Sequence, residues 1–127
     1  MKFSINEGEK HTIFSLEEDN LNTLNAPDVK SEFVFLKNKG VVNFILDLSA
    51  VKFVDSSGLS AILTANRLWA NEGTFILTGI SENENIKRLL EISRVDTVLT
   101  IIPTIQESID YVMMEEIERS LNKETDS

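Results

Sequence analysis

The stretch best equipped for chemistry is Asp55-Ser56-Ser57-Gly58, a carboxylate, two hydroxyls and a glycine at the joint between two apolar segments, with Leu59 following. Two readings of this joint are open. In the first it only starts a helix. Ser56, ahead of a helix beginning near Ser57, can accept a free backbone N–H of the first turn as N-cap. Asp55 and Ser56 then lie at the carboxyl end of a strand ending at Val54, where open α/β sheets expose their crevice, and Gly58 permits a close backbone approach. In the second reading the same geometry makes a switch. A helix N-terminus offers unpaired N–H donors and a positive dipole end, so the fold tolerates a phosphoryl group on Ser56. Such a group adds about −1.5 to −2 charges and three acceptor oxygens, which changes what can dock without unfolding the domain.

Other chemistry has little support. A serine nucleophile needs a base, and His11 is the only histidine. It is predicted to open an edge strand as a partly exposed structural residue. Glu17-Glu18-Asp19 contains hard-metal ligands but lacks calcium-loop spacing, and reads as a solvated loop. No glycine-rich phosphate cradle precedes a lysine. Trp69, Met113 and Met114 fall in helical patterns and are expected in the core, with Met114 also available to a partner surface. The expectation is a non-enzyme with no cofactor and no metal.

The chain has 127 residues, 42% hydrophobic and 26% charged, without cysteine. That is the composition of one globular domain with no disulfide framework. Its 21 acidic residues against 12 basic give a net charge of −9, which repels phosphate backbones and anionic lipid, so neither nucleic acid nor membrane is an expected partner. The N-terminus lacks a signal-peptide apolar region and no run approaches a membrane span, so a cytoplasmic location is expected. The acidic end MMEEIERSLNKETDS is either a solvated helix end, frayed from about residue 119, or a docking tail for a basic partner.

The elements that must position the joint follow from periodicity. KFSIN and HTIFSL read as an antiparallel pair turning at EGEK, and EEDNLNTLN as a loop. Ala26-Pro27 opens a helix that Gly40 closes. VVNFILDLS and TFILTG are short apolar runs suited to strands covered on both faces. Between them Leu59, Ile62, Leu63, Asn66 and Trp69 recur at helical spacing up to a stop at Gly73, predicting a βαβ unit with parallel strands. Ile86, Leu89 and Leu90 mark a short helix, VLTII a last strand, and Thr104 with Glu107 a capping box for a final helix. The predicted fold is a single α/β domain over residues 1–127, with a mixed sheet of four to five strands and about four helices packed on it.

VNFILDLSAVKFVDSSGLSAIL resembles the segment of STAS domains, the anti-sigma factor antagonist family, in which an apolar strand leads through Asp, two hydroxyl residues, Gly and Leu into a helix. Leu21-Asn22 and Ala26-Pro27 resemble the family's positions before its first helix, and Ile86–Ser93 its later helix. The resemblance implies a STAS fold and a protein-binding regulator of transcription. A partner serine kinase, often the anti-sigma factor itself, would phosphorylate Ser56, with Ser57 the second choice, and a serine phosphatase would reset it. Unphosphorylated protein would bind the anti-sigma factor; phosphorylated protein would let go. Asp55, Ser56, Ser57, Gly58, Leu59 and Asn22 would form the partner surface, with Gly58 admitting the partner's backbone. Where the family carries a glycine and an aspartate after its second strand, this chain has Asp19-Asn20-Leu21-Asn22. A rival reading is a non-switching adaptor, such as a subunit of a transport ATPase or signalling assembly.

Overall fold

The computed structural model describes residues 1–126, with side chains described through Lys123. Five strands form the main sheet in the order β1-β2-β4-β6-β7: β1 (Phe3–Glu7), β2 (Thr12–Leu16), β4 (Asn43–Asp47), β6 (Thr74–Thr78) and β7 (Ile101–Ile102). β1 pairs antiparallel with β2, and the remaining pairings are parallel. The mixed sheet and the four helices match the expected fold. β4 and β6 are buried at every position, as their continuous apolar runs require when helices cover both faces.

On one face Phe14, Phe44, Leu46, Phe75 and Leu77 meet α1 (Ala26–Lys39), α2 (Ser56–Trp69) and α3 (Glu84–Ile92). Phe44 stacks on Trp69 with ring centroids 4.4 Å apart, and the indole N–H donates to the Val41 carbonyl at 2.8 Å. Truncating an aromatic in such a core costs about 3–5 kcal/mol. On the other face Ile13, Ile45 and Ile76 meet Val112 and Ile109 of α4 (Ile105–Asp126). Pro27 lies in the first turn of α1, and Gly40 ends it in the left-handed region at φ 107°, as the sequence predicts. Glu107 N–H donates to Thr104 Oγ1 at 3.1 Å, while the Glu107 carboxylate accepts from the Thr104 hydroxyl rather than from its backbone.

Several expectations are corrected. The EEDNLNTLN segment contains β3 (Asn20–Leu21), which pairs in parallel with β5 (Phe53–Val54) in a separate two-stranded sheet. The strand before the joint is therefore β5, not an extension of β4. Leu48 and Val51 dive into the core between them, and the Asn83 amide, whose oxygen caps α3, holds the intervening backbone at the Val51 and Lys52 carbonyls. Only Ile101 and Ile102 of VLTII are strand. α2 ends at Trp69, before Gly73. β1, not β2, is the sheet edge, so His11 precedes an interior strand. Met113 and Met114 are exposed at 48% and 58%, because the narrow sheet receives only the Ile109 and Val112 side of α4. That helix is tied down at Arg119, where the free end was expected to begin. The guanidinium donates to Thr74 Oγ1, Asn43 Oδ1 and Glu116 Oε1 at 3.1, 2.7 and 2.9 Å.

Candidate functional site

The joint between β5 and α2 is built by two loops that meet. Asp55, in extended backbone, is the N-cap of α2, and its Oδ1 accepts the Gly58 N–H at 2.9 Å. This corrects the expectation that Ser56 caps: Ser56 is the first helical residue. Both types are good caps, and the choice is made from outside the helix. Asp55 Oδ2 accepts the Thr23 N–H and the Thr23 hydroxyl at 3.3 and 3.4 Å, so the carboxylate joins the two loops as well as capping. The Gly58 hydrogen bond lowers the Asp55 pKa; burial opposes it, and donors at Thr23 and Ser57 each add less in the lowering direction. A carboxylate with both oxygens engaged this way is a poor general base.

Ser57 is half-buried, with its Oγ 3.1 Å from Thr23 Oγ1. Since the single Thr23 hydroxyl proton points to Asp55, Ser57 is the donor in this contact. Ser56 differs from both neighbours. Exposed like Asp55, it has a hydroxyl with no hydrogen-bond partner among the described residues. Gly58 is buried, and a Cβ there would strike the Leu21 carbonyl. The close approach that glycine permits is thus to the chain's own β3, not to a visiting backbone. Leu59 is half-buried against the core. Asn22 is half-buried, its Oδ1 accepting the Leu24 N–H at 3.0 Å in a local turn.

Asp55, Ser56, Ser57 and Gly58 thus converge with the Asn22 loop, and the structure adds residues that periodicity could not supply. Thr23 closes the hydrogen-bonded corner. Leu24 and Phe53, exposed at 88% and 54%, put apolar surface on the two loops that meet there. Lys30 of α1 donates to Ser60 Oγ of α2 at 3.0 Å. Phe53 belongs to the quoted motif and was legible as an aromatic beside it; Thr23, Lys30 and Ser60 lie 30 or more residues from their partners and carry no local signal. His11, Glu17, Glu18 and Asp19 take no part in this corner. Asp19 instead pairs with Lys52 across an exposed 3.8 Å contact.

A profile of the STAS domain matches residues 2–108. A Thermotoga neapolitana protein provisionally named as an anti-sigma factor antagonist is 33% identical over 75 residues, 59% of this chain and 66% of that relative. The chain thus aligns with just under two thirds of the length of such curated relatives. The crystal structure of a provisionally assigned anti-sigma factor antagonist from Thermotoga maritima superposes with a TM-score of 0.76 at 30% identity, over 87% of this chain and 94% of that one. The phosphorylated form of the Bacillus cell fate determinant SpoIIAA superposes with a TM-score of 0.67 at 19% identity, over 87% and 99% of the two chains, a likeness of fold. No helix among the described residues is long and apolar enough to cross a membrane. With the family profile spanning most of the chain and the Asp-Ser-Ser-Gly corner set at the start of α2, the chain belongs to the STAS domain family.

Proposed function

We propose that this protein is an anti-sigma factor antagonist, a cytoplasmic binding protein without catalytic activity that a partner serine kinase switches off at Ser56. One observation carries the reading. Of the carboxylate and hydroxyl groups at the corner, Asp55 and Ser57 are both tied to Thr23, and the exposed Ser56 hydroxyl alone has no partner among the described residues. The names of the Thermotoga relatives and the phosphorylated state of the SpoIIAA neighbour support it. In the transfer, Ser56 Oγ attacks the γ-phosphorus of a nucleoside triphosphate held by the kinase. The bond to the β-phosphate bridging oxygen breaks and the diphosphate leaves. The hydroxyl proton passes to a base on the kinase, because Asp55 is engaged. A phosphatase hydrolyses the ester to reset the switch. Partner contact is assigned to Asp55, Ser56, Ser57, Leu59 and Asn22, joined by exposed Leu24 and Phe53.

The test is partner affinity in Ser56→Ala and Ser56→Asp, paired with intact-mass analysis after incubation with ATP and the cell's candidate kinase. A switch keeps binding with Ala and loses roughly 100-fold with Asp, because the new charge meets a surface shaped for a neutral hydroxyl. The kinase should add a single phosphate, on Ser56. Unchanged affinity in both variants would favour a non-switching adaptor.

A further inference from the structure

Lys30 is half-buried between α1 and α2, and its ammonium donates to the neutral Ser60 hydroxyl at 3.0 Å. The four ion pairs among the described residues are made by Lys39, Lys52, Lys87 and Arg119, so Lys30 has no carboxylate partner there. In a chain with 21 acidic and 12 basic residues, this partly shielded cation rests on a neutral hydroxyl. Ser60 lies four residues beyond Ser56 in α2, and side chains at that spacing share a helix face with about 5–6 Å between their Cβ atoms. A Lys side chain that reaches Ser60 Oγ can therefore reach an oxygen displaced outward from Ser56 by a small rotation of its flexible stem.

We propose that Lys30 is the intramolecular counter-ion of the phosphoryl group on Ser56, exchanging Ser60 Oγ for a phosphoryl oxygen when the modification arrives. The proposal rests on Ser56 being the acceptor. Other charges on α1 and α2 do not serve this role. Asp55 and Asp28 are anions and repel a phosphoryl group, and Arg67 lies about three turns beyond Ser56 in α2, bonded to Thr64 at 3.4 Å. The exchange would convert a hydrogen bond to a neutral oxygen into a charge-assisted one, clamp the start of α2 to α1, and draw the phosphoryl group toward the protein, away from a partner.

The experiment uses full-length protein with phosphoserine installed at position 56 during synthesis, so no kinase is needed. Phosphorus NMR titrations compare the parent, Lys30→Met, Lys30→Arg and Ser60→Ala, each checked for folding by circular dichroism. Lys30→Met should raise the titration midpoint, tightening phosphate proton binding about two- to five-fold. Lys30→Arg should restore the parent value, and Ser60→Ala should leave the interaction in place. Superimposable curves for the parent and a folded Lys30→Met protein would overturn the role of Lys30 and leave Ser56 standing as acceptor. Failure of any cellular kinase to modify Ser56 would instead sink the functional reading, whatever the titrations show. A midpoint raised in Lys30→Arg as far as in Lys30→Met would mean that a positive charge at this position does not suffice, and would also overturn the proposal.

Discussion

Two polar corners at opposite ends of α2 and the parallel strands invite comparison. At the amino ends of β4 and β6, Asn43, Thr74, Glu116 and Arg119 form a network under α4; at the start of α2, Asp55, Thr23, Ser57 and Ser56 form another. Each is organised around a carboxylate whose pKa hydrogen bonds lower, from Asn43 and Arg119 for Glu116 and first from Gly58 for Asp55. They differ in what is left over. In the first, each of the four side chains has a partner inside the network, and its product is attachment of a helix to a sheet. In the second, the carboxylate and one serine are tied so that the other serine stands free on a rigid turn. Polarity and a perturbed carboxyl group are common to both corners and do not by themselves mark a functional site; the hydroxyl left outside an otherwise satisfied network is what sets the second apart, and the proposed switch rests on it.

That contrast breaks if the two corners respond alike to mutation. The largest expected difference is between binding and stability. Ser56→Asp should lose roughly 100-fold in partner affinity, while its midpoint of chemical denaturation stays within about 0.5 kcal/mol of the parent, since Asp is acceptable in a first helical turn. Asn43→Ala should do the reverse. Asn43 is 3% exposed and bonds the Lys10 carbonyl, Glu116 and Arg119, so its loss strands partners and should cost about 2 kcal/mol, with affinity unchanged. A binding defect in folded Asn43→Ala would erase the distinction.

Next in size is Gly58→Ala, which stands between the two classes. The added methyl meets the Leu21 carbonyl and the Val54 side chain, an overpacking that should cost about 1–3 kcal/mol. Because it pushes β3 away from α2, it should also weaken partner binding. Asp55→Ala should cost about 1 kcal/mol as a lost cap and loosen the Thr23 loop, whereas Ser56→Ala should leave stability within about 0.5 kcal/mol, having no cap or partner to lose. Urea denaturation of the three variants ranks them. Ser56→Ala falling as far as Asp55→Ala would place the capping role on Ser56 after all.

How much of this was legible in the sequence depended on the distance over which each choice is made. β4 and β6 are read from unbroken apolar runs, and α1 from Pro27 and Gly40, because those signals lie within the element itself. β3 and β5 are two residues each and carry no period, so the loop reading of Asn20-Leu21 missed a strand that exists only through its partner. Asp55 and Ser56 are adjacent residues of equal capping quality, and the decision between them comes from Thr23, 32 residues away. Met113 belongs to a helical apolar pattern that is wider than the sheet it faces, which no local window reveals. The corner itself was legible as a motif; which of its hydroxyls is free was not, since that depends on hydrogen bonds between segments.

The smallest expected effect is the acid limb of the stability curve, and it can tell the two carboxylates apart. Asp55 and Glu116 both titrate below their ordinary values of 3.8 and 4.5. The unfolded chain therefore binds protons more readily than the folded one at these sites. Their contribution is fully present well above those ordinary values and is lost as pH falls through the lowered folded values, so the loss sets in below about pH 5. Asp55→Asn keeps an amide oxygen that can accept the Gly58 N–H but removes the charge, and Glu116→Gln does the same beside Arg119. Each should flatten the decline measured by urea denaturation between about pH 5 and pH 3, Glu116→Gln from the upper part of that window and Asp55→Asn lower down. At neutral pH only Asp55→Asn should also alter partner affinity, because only that carboxylate is exposed beside Ser56. Acid limbs parallel to the parent in both variants would show that neither carboxylate is held by its hydrogen bonds, and the likeness between the two corners would fail at its root.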